Sequence, residues 1–152
     1  MQRRHLQVRP GYLSIQTHDA HRGRVRILIS AQRPAVEPDS RTTLRIRYTA
    51  RFNDCDAALM HTHELLKRRL LDPDAHLYRV DLARAIAAVE SVELRRETVF
   101  WDPQLNDDTR TQVAELVTAN RASQRRKDRF FQTLGYIGIA ILLFNLFVLS
   151  FV

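Results

Sequence analysis

The sequence predicts an α+β domain: a small antiparallel sheet with two or three packed helices, followed by a long C-terminal helix continuing into one transmembrane span. Three observations carry this. In the first third, apolar and polar residues alternate, the period of strands with one buried side. From about residue 54 the apolar spacing becomes three and four, the period of helices. The last twenty residues, TLGYIGIAILLFNLFVLSFV, carry no charge. At 152 residues the chain has room for one ordinary domain.

Residues 12–16 and 24–30 read as strands joined around a turn at 19–23. In the second, Val25, Ile27 and Ile29 alternate with Arg24, Arg26 and Leu28. Pro34, Glu37, Pro38 and Asp39 mark a loop. A third strand follows, with Leu44, Ile46 and Tyr48 expected on one side and Thr43, Arg45 and Arg47 on the other. The expectation is a sheet with one apolar face and one arginine-rich face, to which Arg24 and Arg26 also belong.

Asp54 or Asp56 can then cap a helix running to about Leu71, with Leu59, Leu66 and Leu70 as its stripe. Asp72, Pro73 and Asp74 end it. Residues 76–80 form a short strand, and Asp81 caps a helix over 82–91 whose Leu82, Ile86 and Val89 share one side. Residues 92–101 read as a strand anchored by Leu94 and Val99, broken by Asp102 and Pro103. The last helix begins near Asp107 or Asp108, with Val113, Leu116 and Val117 as a narrow stripe. No Gly or Pro falls between Thr109 and Gly135, so this helix is expected to run straight into the span. The predicted organisation is a cytoplasmic α+β domain at 1–107, a juxtamembrane helix at 108–130 and a transmembrane helix at 131–152.

The net charge of +7 is unevenly spread. Residues 1–51 carry a net +8, residues 52–120 a net −5, residues 121–129 a net +4, and residues 130–152 nothing. Twenty residues at a rise of 1.5 Å span about 30 Å, the hydrocarbon thickness of a bilayer. Arg121, Arg125, Arg126, Lys127 and Arg129 precede the span. By the positive-inside rule they put themselves, and the domain before them, in the cytoplasm. They should also hold anionic lipid headgroups, each contributing about 1 kcal/mol near the surface. The N-terminus has arginines but no apolar h-region, so a tail-anchored, single-pass topology is expected, at the inner membrane if the cell is bacterial. Within the span Asn145 is the one strongly polar side chain, and Gly135 and Gly138 would let a neighbouring helix approach.

Chemical motifs are sparse. A single cysteine, Cys55, excludes an internal disulfide and a Cys-rich zinc module. Cys55, His61 and His63 form the richest ligand-like cluster, but His61 and His63 point apart on a helix, and closed zinc sites need four ligands. His18, Asp19 and His21 fall in a predicted turn, where Asp and Gly23 serve backbone geometry. There is no P-loop, G-x-G-x-x-G or H-E-x-x-H motif, and no cofactor is expected. The arginine face lacks the exposed aromatics on which sheet readers stack bases, which makes nucleic acid an unfavoured partner. Trp101 is read as core or as an anchor for a partner.

These features favour a non-catalytic accessory or docking subunit of a membrane-associated complex. Its expected partners are lipid headgroups and an integral-membrane or membrane-associated protein, with Arg24, Arg26, Arg45, Arg47 and Trp101 as the partner surface. The alternatives are a membrane-tethered enzyme or metal-binding protein using Cys55, His61 and His63, or a membrane-tethered nucleic-acid-binding protein using the arginine face.

Overall fold

A computed structural model describes residues 9–35 and 43–150, with side chains described as far as Phe147. The elements are β1 (Gly11–His18), β2 (Arg24–Ser30), β3 (Leu44–Phe52), α1 (Cys55–Leu66), β4 (Leu70–Asp72), β5 (Leu77–Arg79), α2 (Leu82–Glu90), β6 (Arg96–Trp101) and α3 (Asp107–Ser150). The strands make one sheet in the order β4-β5-β2-β1-β3-β6, antiparallel at every pairing. This is the predicted α+β class. Most of the loop expected around Pro34 to Asp39, and the last two residues of the expected span, lie outside the described residues.

The chain divides into two units, Met1–Val117 and Thr118–Val152. In the first, α1 and α2 cover one side of the sheet and touch each other. Leu13 and Ile15 of β1, Val25 and Ile27 of β2, Tyr48, Ala50 and Phe52 of β3, and Tyr78 of β5 point into that layer, each at most 2% exposed. Ala58 and Leu66 of α1 and Ala85, Ile86 and Val89 of α2 meet them. The alanines of α2 leave little bulk between helix and sheet, so five successive residues, Ala85 to Val89, are buried. Val113 and Val117, at the start of α3, belong to the same core. Each fully buried aliphatic or aromatic side chain of this kind stabilises the fold by about 1.5–3 kcal/mol.

Acidic and amide side chains start the helices. Asp54 accepts from Ala57 N at 3.0 Å, Asp81 from Arg84 N at 3.1 Å, and Asn106 from Thr109 N at 3.1 Å. Each satisfies one backbone donor that the first turn leaves open. Gly11 of β1 packs tightly against Ser30 and the first residue of α1. A Cβ there would sit 3.0 Å from Ser30 O and 3.2 Å from Cys55 Cβ.

Three expectations need correction. The first helix stops at Leu66 rather than Leu71, passes through one tight turn at Lys67–Arg69, and Leu70–Asp72 becomes a strand. Leu70 pairs with Tyr78 across a hairpin, whose turn Asp72 holds by accepting from Asp74 N and Ala75 N. The last strand begins at Arg96, not Val92. The end of α2 is closed by Ser91, whose Oγ donates to Ala87 O, and by the first residue of β6, Arg96, whose Nη1 donates to Glu90 O at 2.6 Å.

The third correction concerns β3. Ile15 pairs with Tyr48, but its neighbour Gln16 pairs with Ile46, so Arg47 is an extra, unpaired residue. Such a bulge reverses which side the following residues face. Ile46 therefore shares a face with Gln16 and Arg26, while Arg45 pairs with Thr17 and joins the face of Ile15 and Val25. The expected grouping of Leu44 and Ile46 with Tyr48 is therefore overturned: both lie on the face opposite Tyr48, and Arg45 lies on the face of Tyr48 itself.

Candidate functional site

The C-terminal helix has the property that a soluble domain avoids. Every large apolar side chain from Phe130 to Phe147 is exposed, at 47–68% of its surface. The apolar stretch of α3 is long enough to cross a membrane, and none of it is buried in the protein. Contiguous apolar surface on this scale marks contact with another apolar phase. The helix is a candidate membrane span by length and composition, and it suggests a membrane location.

Gly135 and Gly138 are open: an added Cβ at either would meet nothing within 4 Å. Asn145 Nδ2 donates to Ile141 O at 3.1 Å, so part of its amide is satisfied by its own helix. Before the apolar stretch, Arg125, Arg126, Lys127 and Arg129 are exposed and Arg121 is partly so. Arg121, Arg125 and Arg129 recur at the four-residue spacing that aligns them on one helix face.

In the first unit the four arginines of the expected arginine face do not stay together. Arg24 and Arg26 lie on the face of Gln16, and Arg26 Nε donates to Ala75 O at 3.2 Å. Arg45 and Arg47 lie at the open end of the core face. Arg47 Nε donates to Thr17 Oγ1 at 3.1 Å and Nη1 pairs with Asp102 at 2.5 Å, with side chains 21% and 10% exposed. Arg45 pairs with Asp19 at 3.2 Å and donates to Gln104 at 3.3 Å. The acidic middle of the chain thus engages part of the basic first third internally, through Asp102.

What gathers instead is a cleft of about 440 Å³ at the end of the β1–β2 hairpin. Arg22, Arg24, Arg45 and Arg47 contribute to its walls, and Val25, Val80 and Leu82 also line it. Arg22 escaped the sequence reading because it sits in the turn HDAHRGR, where alternation carries no information. Gly23, at φ +75°, turns the chain there. His18 is fixed beside it. Its Nδ1 accepts from Ala20 N at 3.1 Å, so the ring proton is on Nε2, which donates to Thr43 Oγ1 at 2.6 Å.

Cys55, His61 and His63 are not brought together as a site. Cys55 is buried at the first turn of α1, 4% exposed. Its thiol is pushed up to about 11 by burial first, then by the Asp56 and Asp54 charges, so the inert protonated form prevails at neutral pH. His61 is exposed. His63 Nδ1 and Tyr78 Oη are hydrogen-bonded at 3.1 Å, and burial raises the Tyr78 phenol. Among the described residues no group of three or more His, Cys, Asp or Glu side chains could hold a metal. Trp101 is half-buried, edge-on to Tyr48 with ring centroids 5.4 Å apart, and the Arg110 guanidinium lies 5.6 Å from its ring centre.

Comparison with protein-family models, with curated proteins and with solved structures finds no match to this chain. Function is therefore argued from its own geometry and chemistry.

Proposed function

We propose that this chain is a single-pass membrane protein whose α+β domain lies on the cytoplasmic side and docks a partner protein there, as a non-catalytic accessory subunit of a membrane complex. The observation that carries the reading is the unburied apolar helix from Phe130 to Phe147. Arg125, Arg126, Lys127 and Arg129 sit in the headgroup layer, where cations attract anionic lipids and fix the orientation. Gly135, Gly138 and the remaining hydrogen-bonding capacity of Asn145 are available to a helix of the partner. Docking is favoured over catalysis because Cys55 is a buried thiol whose burial holds it protonated at neutral pH.

Orientation is tested with a membrane-impermeant thiol reagent. The buried Cys55 would report poorly, so the probe is Glu93→Cys, an exposed position, in a Cys55→Ala background. Residue 93 should label only after the cells are opened. Labelling of intact cells would reverse the topology. For docking, the full chain extracted in mild detergent should carry a stoichiometric membrane partner, which is lost when residues 131–152 are replaced by an unrelated apolar helix. If the chain is extracted alone, the accessory role fails.

A further inference from the structure

The geometry points to the cleft at the end of the β1–β2 hairpin as a binding site for a phosphate group carried by a small molecule. This holds whether or not the domain also docks a protein. Four arginines line the cleft from three segments: Arg22 from the turn, Arg24 from β2, and Arg45 and Arg47 from β3. Among the described residues their carboxylate partners are two, Asp19 and Asp102, which leaves two positive charges in excess among those residues.

The two paired arginines are held in place rather than used up. Thr17 and Asp102 hold Nε and Nη1 of Arg47, and Asp19 and Gln104 hold Nε and Nη1 of Arg45. Among the described residues, Nη2 of each has no hydrogen-bond acceptor. Arg22 and Arg24 are exposed and have no acceptor among the described residues. Donors fixed in advance lose less entropy on meeting an anion. A carboxylate offers two oxygens to such an array. A phosphate monoester offers three and nearly two charges, which matches the excess. The volume, about 440 Å³, is that of a small-ligand cleft. Leu82, half-buried, supplies an apolar contact for the organic part.

The test uses the full chain in a non-ionic detergent at low salt, titrated calorimetrically with inorganic phosphate, pyrophosphate and a short-chain phosphatidic acid. The informative variant is Arg22→Gln with Arg24→Gln, since neither side chain is tied to the fold. Arg51→Gln with Arg95→Gln removes the same charge from exposed positions elsewhere. Pyrophosphate should bind the unmodified chain and the control alike, and about a hundredfold more weakly to the cleft variant. The same pattern with phosphatidic acid alone assigns the phosphate to a lipid headgroup instead of a soluble ester. Equal affinity of the cleft variant and the control for every probe, or no binding of any probe, would overturn the proposal.

Discussion

Phe52 and Phe144 are the same side chain in two settings. Phe52 is 0% exposed, on a strand beneath two helices, whereas Phe144 is 68% exposed on α3. The contrast extends to whole regions. Up to Val117, large apolar residues are mostly turned inward and several charges are paired internally, as in Arg47–Asp102 and Arg96–Glu90. From Phe130 to Phe147 they surround the helix, and no charge accompanies them. One region is built for water around a core, the other for an apolar solvent outside. The same substitution should consequently have opposite effects in the two.

The largest effect is expected inside the apolar helix. Leu142→Arg with Phe144→Asp puts two charges where hydrocarbon is expected, at about 2.5–3.5 kcal/mol each on insertion scales. Alkaline extraction should find this variant released from membranes while the unmodified chain stays.

Phe52→Ala should destabilise the domain by about 3–5 kcal/mol, read from urea unfolding followed by Trp101 fluorescence. Phe144→Ala should leave that unfolding midpoint in place. A shift of similar size in both would mean that the helix belongs to the folded core.

Asp102→Ala leaves the Arg47 guanidinium, 21% exposed, without its carboxylate, and should cost about 3 kcal/mol of domain stability. Arg125→Ala, on an exposed position, should change domain stability by less than about 0.5 kcal/mol.

The pH dependence follows from Cys55. Its folded-state value of about 11 lies above the ordinary 9.0. Between these the unfolded chain has lost the proton that the folded chain keeps, so stability falls as pH rises from about 9 to about 11. The loss is on the order of 3 kcal/mol. Burial also raises Tyr48 and Tyr78, with the same sign at higher pH. The measurement is therefore the difference between the unmodified chain and Cys55→Ala, which should have a flatter profile in this window. A small effect is expected for Asn145→Leu. With its amide already donating to Ile141 O, membrane retention should not change, and partner association should weaken by about 0.6 kcal/mol.

Much of the domain was legible because local chemistry and final structure agree. Val25 and Ile27 alternate on a strand with an inward side, and Asp81 precedes a helix that it caps. The misreadings share a cause. Leu70 continues the leucine spacing of α1, yet its fate is set by Tyr78, which pairs with it from a later strand. Nothing local in RIRY marks Arg47 as a bulge; that depends on the register of β1 against β3. The arginine cleft was illegible for the same reason, since it exists only once the bulge turns Arg45 and Arg47 toward Arg22. The apolar helix required no such register, because its signal is the absence of any polar side over twenty residues.

The central claim is that residues after Phe130 meet lipid while residues before Val117 fold on their own core. It is tested most directly by comparing the full chain with residues 1–129 in membrane fractions washed at alkaline pH. The full chain should remain in the pellet. The shortened chain should be recovered in the soluble fraction with the cooperative unfolding of an intact core. Recovery of the full chain in the alkaline wash would contradict the account, as would a shortened chain that stays in the pellet or has no cooperative transition.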